Sequence, residues 1–517
     1  MELSHPSHQR LKPGQEVSTT GEILSYAART YPDRIGLIDG AARCTFSELD
    51  GLANQFANAL IASLDGDGGP VGILGRNSVE YAIAHFGIGR SGRCSINLPT
   101  RCTAGELAFA VNLTDPRILI VDDASRELVE DARSLFDEIP KMINSEDLRD
   151  FLEPHPGTPV DVSIDPDAAG SVIFTGGTTG QPKAVLSSQR ARAVSAMAAV
   201  EDFRIRNDLI AGYSVPFTHT AGLFSWFQPA VLAACTGVII PKWDPELFMS
   251  LTEDHGINMT FAVPAQLATL LNHADFDPDR LRSLKTLVFG GAPLSRALIE
   301  RAEEAMPWME CARAYGSSET GHLTAQIKAD REVVYDGYNQ PGGRLEIEIF
   351  REPGVVAKEG EIGEIATRGP HLMTAYIDND AAQTEFFKSD VTDSQWGWMG
   401  DLAVKHKGYF SLAGRSKHMI LSGGLNIFPA ELEEILSGHP DVVDCAVFGV
   451  DDPTWGELPC AAVVSKGNAT DEEAIMSFVA GQVARYKRIR RIYFVDAIPR
   501  TGAGKIQVFL VKQKCLV

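Results

Sequence analysis

An α/β fold spread over more than one domain is what three observations in this sequence predict. The chain has 517 residues, more than one ordinary hydrophobic core organises. Short apolar runs alternate with helical patterns, as in strands joined by crossover helices. A loop rich in Gly and Thr, closed by a Lys, follows directly on one of those runs, and such a loop suits phosphate oxygens. The composition, 44% hydrophobic and 22% charged, is that of a globular protein. A net charge of −21 argues against nucleic acid as a partner, and an acidic chain that binds a nucleotide must concentrate its basic groups locally. The eight Cys show no C-x-x-C and no metal spacing. They are expected to be reduced packing thiols in a cytoplasmic enzyme.

In chain order, residues 1–20 are polar and carry no apolar stretch, so no secretory leader is expected. Residues 23–39 read as a helix followed by a strand. Thr45, with Glu48 three residues on, has the pattern of a reciprocal helix cap, and residues 53–64 continue that helix. Residues 71–74 and 118–121 read as buried strands, with a helix over residues 80–89. Residues 209–241 contain no Asp, Glu, Lys or Arg. That length could span a bilayer, but Pro216, His219, Gln228 and Pro229 interrupt it, and a buried strand–loop–helix–strand is the expectation.

The chain is organised around Phe174-Thr175-Gly176-Gly177-Thr178-Thr179-Gly180-Gln181-Pro182-Lys183, after the apolar run 170–173. The Walker pattern cannot be laid on it, because Ala184 and Val185 follow Lys183. It resembles the phosphate-binding signature of the adenylate-forming enzymes: acyl- and aryl-CoA synthetases, firefly luciferase and the adenylation domains of peptide synthetases. Gly176 and Ala184 depart from the usual T-S-G-T-T-G-x-P-K-G.

Further motifs follow in that family's order. Pro216-Phe217-Thr218-His219-Thr220-Ala221-Gly222 matches P-x-x-H-x-x-G, whose His borders the acyl pocket and ATP. Domains that activate α-amino acids carry an Asp there to pair with the substrate ammonium. None stands between Leu209 and Pro241, so the resemblance implies an acid without an α-amino group. Gly290-Gly291-Ala292-Pro293 is similar to the turn against which adenine lies. Tyr315-Gly316-Ser317-Ser318-Glu319 resembles Y-G-x-[TS]-E: Tyr315 would stack near adenine, with Gly316 beside it, and Ser318 would face phosphate. Glu319, with Thr175, would hold Mg²⁺, which takes hard oxygen ligands.

Gly363-Glu364 and Arg368-Gly369-Pro370 fall at structural family positions. Trp398-Met399-Gly400-Asp401 resembles the motif whose Asp accepts both ribose hydroxyls, with Met399 where Thr is usual. Gly414-Arg415-Ser416-Lys417 resembles the domain junction, Arg415 reaching ribose and phosphate and Lys417 serving as the hinge. Gly423 and Gly424 would let pantetheine pass close to the backbone. Five basic residues lie in 484–491, of which Arg485 and Lys487 match positions for CoA phosphates; Arg90 is a third candidate. Pro499-Arg500-Thr501-Gly502-Ala503-Gly504-Lys505 resembles the closing motif that carries the catalytic Lys, here Lys505.

The resemblance implies a large N-terminal domain of α/β subdomains (residues 1–416) and a small mobile α+β C-terminal domain (417–517). It implies an ATP-, Mg²⁺- and CoA-dependent acid:CoA ligase, a monomer or homodimer, with Lys505, His219 and Glu319 at the reaction centre. His219, Leu223, Phe224 and Val263 would line the acyl pocket, suggesting a hydrophobic acid: fatty, aryl or cyclic. Two other readings stay open: a ligase that loads a carrier-protein phosphopantetheine, and a non-catalytic nucleotide-binding protein.

Overall fold

The computed structural model describes residues 11, 15–64, 68–175, 182–292, 295–327, 337–339, 344–388, 395–406, 408–467, 471–500 and 506–516. Two mixed sheets carry the large domain. One has the strand order 321–326, 310–317, 286–289, 259–262, 210–213, 236–239, 35–39, 42–45. Its interior pairs run parallel and both edges are antiparallel. The other has the order 375–376, 183–188, 169–175, 95–97, 71–74, 118–121, 141–144. The buried strands expected at 71–74 and 118–121 pair in parallel at its centre, and all four residues of each are buried. That is the mark of sheets covered on both faces.

The helices form where their caps and apolar stripes allow. Thr45 caps Phe46–Ser63 in the reciprocal box with Glu48, and Thr19 with Glu22 and Thr103 with Glu106 repeat the device. The charge-free stretch becomes strand Ile210–Tyr213, a helical passage from Thr220 to Leu232, and strand Thr236–Ile239. Its Leu223, Phe224, Trp226 and Phe227 sit at the centre of the largest core. Among the described residues no helix is long and apolar enough to cross a membrane.

A third, antiparallel sheet (337–339, 409–415, 397–406, 362–368, 346–352, 355–356) is not in the sequence expectation. Its signature is the alternation over residues 346–349, in which Ile347 and Ile349 are buried beside outward-facing Glu346 and half-buried Glu348. The small C-terminal domain has a sheet of its own: 425–427, 420–422, 456–465 and 442–452, with 491–494 parallel to 456–465. Helices Pro429–Ser437 and Glu472–Ala480 pack on it through Leu432, Leu436, Ile475 and Val479. Two exposed contacts cross the domain junction. Arg296 N donates to Glu434 Oε1 at 2.7 Å, and Lys417 pairs with Glu385 at 2.7 Å.

Candidate active site

The expected phosphate loop falls between the two strands of a hairpin. Strands Ala169–Thr175 and Lys183–Ser188 run antiparallel, and Thr175 pairs with Lys183. Gly176, Gly177, Thr178, Thr179 and Gly180 lie outside the described residues. The hairpin feeds straight into helix Gln189–Asp202, capped by Ser188 Oγ on Ala191 N.

That helix is buried on nearly every side, and its polar side chains face inward to hold the turn between strands Glu310–Ser317 and Gly321–Gln326. Arg192 Nη1 donates to Ser318 O at 3.4 Å and its Nε to Ser171 Oγ at 2.9 Å. Ser195 Oγ accepts from His322 N at 2.8 Å, and Asp202 Oδ2 lies 2.7 Å from His322 Nε2. So one helix bolts the phosphate hairpin to the turn that carries Ser318 and Glu319. Gly316 and Gly321 make that turn possible: a Cβ on Gly316 would lie 2.0 Å from Gly321 O, and Gly321 has φ +67°.

Glu319 is anchored at backbone and side chain. Its N–H donates to Ser317 Oγ at 3.2 Å, its carbonyl accepts from Met373 N at 2.7 Å, and Tyr376 OH donates to Glu319 Oε1 at 2.5 Å. Lys183 Nζ stands 5.0 Å from the centre of the Tyr376 ring. The hairpin's Lys and the expected metal carboxylate therefore flank one tyrosine. The Glu319 carboxylate and Thr175 hydroxyl are hard oxygen donors. They fit Mg²⁺, which commonly takes one or two protein carboxylates and completes its shell with water and substrate phosphates.

A second cluster lies at the same end of strand Glu310–Ser317, just before the turn. Tyr315 OH donates to Asp401 Oδ2 at 2.9 Å, and Arg415 Nε reaches Asp401 Oδ1 at 2.9 Å. The three expected nucleotide residues thus form one network, backed by Tyr338 and Phe410 against the Tyr315 ring. Gly291, with φ +83°, makes the turn after strand Thr286–Phe289, with Ala292 beside it; Pro293 lies outside the described residues. Met399 is buried in the core beneath Asp401, and Gly400 has φ +68°.

His219 is half-buried at the start of the helical passage, with its N–H on Pro216 O at 3.1 Å. Gly222 is required there: a Cβ would lie 2.3 Å from Pro216 O. Val263 is half-buried at the cap of helix Pro264–Leu271. Two of the expected pocket residues lie deeper. Leu223 and Phe224 are fully enclosed in the core, Phe224 beneath Arg192 with the guanidinium 4.2 Å from its ring centre. Neither faces open space in this form, because the charge-free stretch that carries them is core on all sides.

The expected CoA contacts divide. Arg90 is a correction: it is 5% exposed, with Nη1 on Asp50 O and Asn54 Oδ1, Nη2 on Ser25 Oγ, and an ion pair to Asp50. A buried guanidinium with both terminal nitrogens engaged ties helices together and does not meet a phosphate in solvent. Lys487 is held by Glu431 at 2.7 Å. Arg485 is exposed. The basic run is a short 3-10 turn followed by a strand. Gly423 and Gly424, at φ +59° and +79°, form an exposed turn laid against Trp455.

Lys505 lies outside the described residues, but both ends of its loop are fixed. Arg500 bridges Ile506, Gln507 N donates to Pro499 O at 2.9 Å, and Arg500 pairs with Asp444 at 2.6 Å. Sequence reasoning missed Arg192, Tyr376 as the partner of Glu319, and the Ser195–His322–Asp202 contacts. A cation in the first turn, leading into the Ala-rich run 193–199, was the available signal for Arg192.

The family model described as AMP-binding enzyme matches residues 24–377, and that described as AMP-binding enzyme C-terminal domain matches residues 431–505. The chain is 31% identical to an indoleacetate–CoA ligase of Aromatoleum aromaticum over 91% of its own length and 92% of that protein's. It is 28% identical to the long-chain-fatty-acid–CoA ligase FadD13 of Mycobacterium tuberculosis, over 91% and 93%. Its fold is shared with the anthranilate CoA ligase AuaEII, solved in complex with anthranoyl-AMP, at a TM-score of 0.88 and 23% identity over 99% and 98% of the two chains.

Proposed function

This chain belongs to the AMP-binding enzyme family, and from that premise we propose that it joins a carboxylic acid lacking an α-amino group to CoA in two steps at the site described above. The observation that carries the reading is the joining of the two clusters. The Tyr315–Asp401–Arg415 network stands at the end of strand Glu310–Ser317 and the Glu319–Tyr376–Lys183 group at the turn that follows it, itself fastened to the hairpin flanking the expected phosphate loop.

In the first step the acid's carboxylate attacks the α-phosphorus of ATP and pyrophosphate leaves. Asp401 accepts the ribose hydroxyls and Tyr315 lies against adenine. Thr175 and the hairpin amides hold the phosphates with Lys183. Mg²⁺ at Glu319 would offset phosphate charge. Lys505 donates to the carboxylate and α-phosphate oxygens, where negative charge crowds in the transition state. In the second step the thiol attacks the acyl carbon and AMP leaves. That step needs a narrow path for pantetheine, and the open turn at Gly423 and Gly424 suits it.

The test is ATP–pyrophosphate exchange across a panel of carboxylic acids, each with and without CoA, with the thioester identified by mass. Exchange together with a CoA adduct is the expected result. Exchange with no CoA adduct, but with loading of a holo carrier protein, moves the assignment to a carrier-protein ligase. No exchange with any acid overturns the ligase reading.

A further inference from the structure

Inward from His219, the helical passage presents Thr220, Phe224 and Gln228 at intervals of four, so they follow one another along one stripe. The residues between, Leu223–Phe227, take the wide i→i+5 turn, an irregularity found most often at functional sites. This stripe runs into the core, yet its surroundings are not apolar. Gln228 is 0% exposed and its Nε2 lies 2.8 Å from His85 Nε2. His85 packs edge-on to Phe224 at 5.7 Å, and Arg192 covers the same ring at 4.2 Å. Both are 1% exposed.

Three hydrogen-bonding atoms of this group have no partner: Arg192 Nη2, His85 Nδ1 and Gln228 Oε1, with Thr220 Oγ1 one turn nearer the mouth. A buried polar atom without a partner is costly, and several around one ring ask for a common explanation. Burial has already drawn the Arg192 guanidinium down to about 9 and, with Arg192 beside it, the His85 imidazole down to about 3. His85 is therefore neutral. With Gln228 Nε2 donating to His85 Nε2, the imidazole proton sits on Nδ1. The group then offers two donors, one of them cationic, and one acceptor.

We propose that this buried cluster of Arg192, His85 and Gln228 around Phe224 receives the remote end of the acid, and that the acid carries a second oxygen function there, a carbonyl or a carboxylate. The proposal rests on the acid-ligase reading and replaces the expectation of a purely hydrophobic acid. Nine residues of helix separate His219 from Gln228, on the order of 13 Å along the axis at about 1.5 Å per residue. This bounds the distance between the activated carboxyl and the second oxygen. The Phe224 ring must turn aside on entry, and the wide turn at Leu223–Phe227 supplies the slack. Arg192 also touches the Ser318 carbonyl, so a filled tail site pulls on the turn that bears Glu319.

The experiment compares cyclohexylpropanoic acid with its ring ketone and its ring carboxylic acid. Each is read by pyrophosphate exchange and, independently of turnover, by calorimetric binding of the three matching acyl-sulfamoyl adenosines. At least one oxygenated acid is expected to exceed the plain one about tenfold or more in kcat/KM. A site built to hydrogen-bond a group discriminates strongly against the analogue that lacks it. In Gln228→Leu that ratio collapses toward one, and in Arg192→Lys the carboxylate arm is retained better than in Arg192→Met. The two arms separate a carbonyl from a carboxylate. Equal or better use of the plain acid by the unaltered protein overturns the inference while leaving the ligase reading intact; the orphaned atoms are then served by buried water. No exchange and no binding of any of the three mimics overturns both.

Discussion

The two sides of the candidate site are held in opposite ways. On the large domain, Tyr315 and Arg415 are tied to Asp401, and Tyr376 to Glu319, by side-chain hydrogen bonds and an ion pair. A buried helix ties their turn to the phosphate hairpin. On the small domain, the Gly423–Gly424 turn and Arg485 stand in solvent, and the described residues that flank Lys505 are held at Arg500 and Ile506. On the proposed reading the nucleotide side is built before substrate arrives, and the other side is presented to it.

Substitutions should divide along that line, and the largest effect is expected at Lys505. Lys505→Ala is expected to lower pyrophosphate exchange by about 10²-fold or more, the scale of losing one transition-state donor. Thioester formation from supplied acyl-AMP should survive, and an equal fall in both steps would remove the assigned role. Next comes the large-domain network. Asp401→Ala strips Tyr315 and Arg415 of their shared acceptor, and kcat/KM for ATP should fall about 10- to 100-fold, the range of charge-assisted hydrogen bonds. An unchanged KM for ATP would place the ribose elsewhere. Gly424→Leu probes the open side. A side chain at φ +79° costs about 1–2 kcal/mol, and CoA transfer should slow about tenfold while exchange is spared. Unaltered CoA transfer would sink the pantetheine path.

The smallest effect on catalysis, and the most local, is expected at Glu433. Burial pushes its carboxyl up to about 7, against Val447 N–H and Arg500, which favour the ion, and Asp444, which opposes it. A carboxyl whose folded pKa is raised binds its proton more tightly folded than unfolded. Stability therefore falls as pH rises from about 4.5 to about 7 and levels off above. The loss is at most about 3 kcal/mol, less where water reaches the group. Glu433→Gln should flatten this slope in thermal melts between about pH 5 and 8; a slope that persists would assign it to another group.

Much of this was legible before any coordinates. Strands 71–74 and 118–121, the Thr45 cap and the charge-free core stretch each announce themselves by period or by cap chemistry, which depend only on neighbours in sequence. The site residues came from motifs in order, and the structure brings Tyr315, Asp401 and Arg415 together from 86 and 14 residues apart along the chain, the separations of Tyr315 to Asp401 and Asp401 to Arg415. Arg90 misled because a lone arginine after a glycine looks the same whether it ends in solvent or, as here, on Asp50 and Asn54. Arg192 went unnoticed for the converse reason: its neighbours Ser171, Ser318 and Phe224 come from three separate segments.

The junction between the domains has a consequence in populations. The Glu434–Arg296 and Lys417–Glu385 contacts are exposed, and contacts of that kind contribute about 0–1 kcal/mol each. With RT near 0.6 kcal/mol at room temperature, an arrangement held by such contacts outweighs a rival by factors of a few to some tens, not thousands. A ligand that gains even one charged hydrogen bond in one arrangement then inverts the ratio. On the proposed reading, the order of the two half-reactions is then set by the sequence of occupants, ATP first and acyl adenylate next.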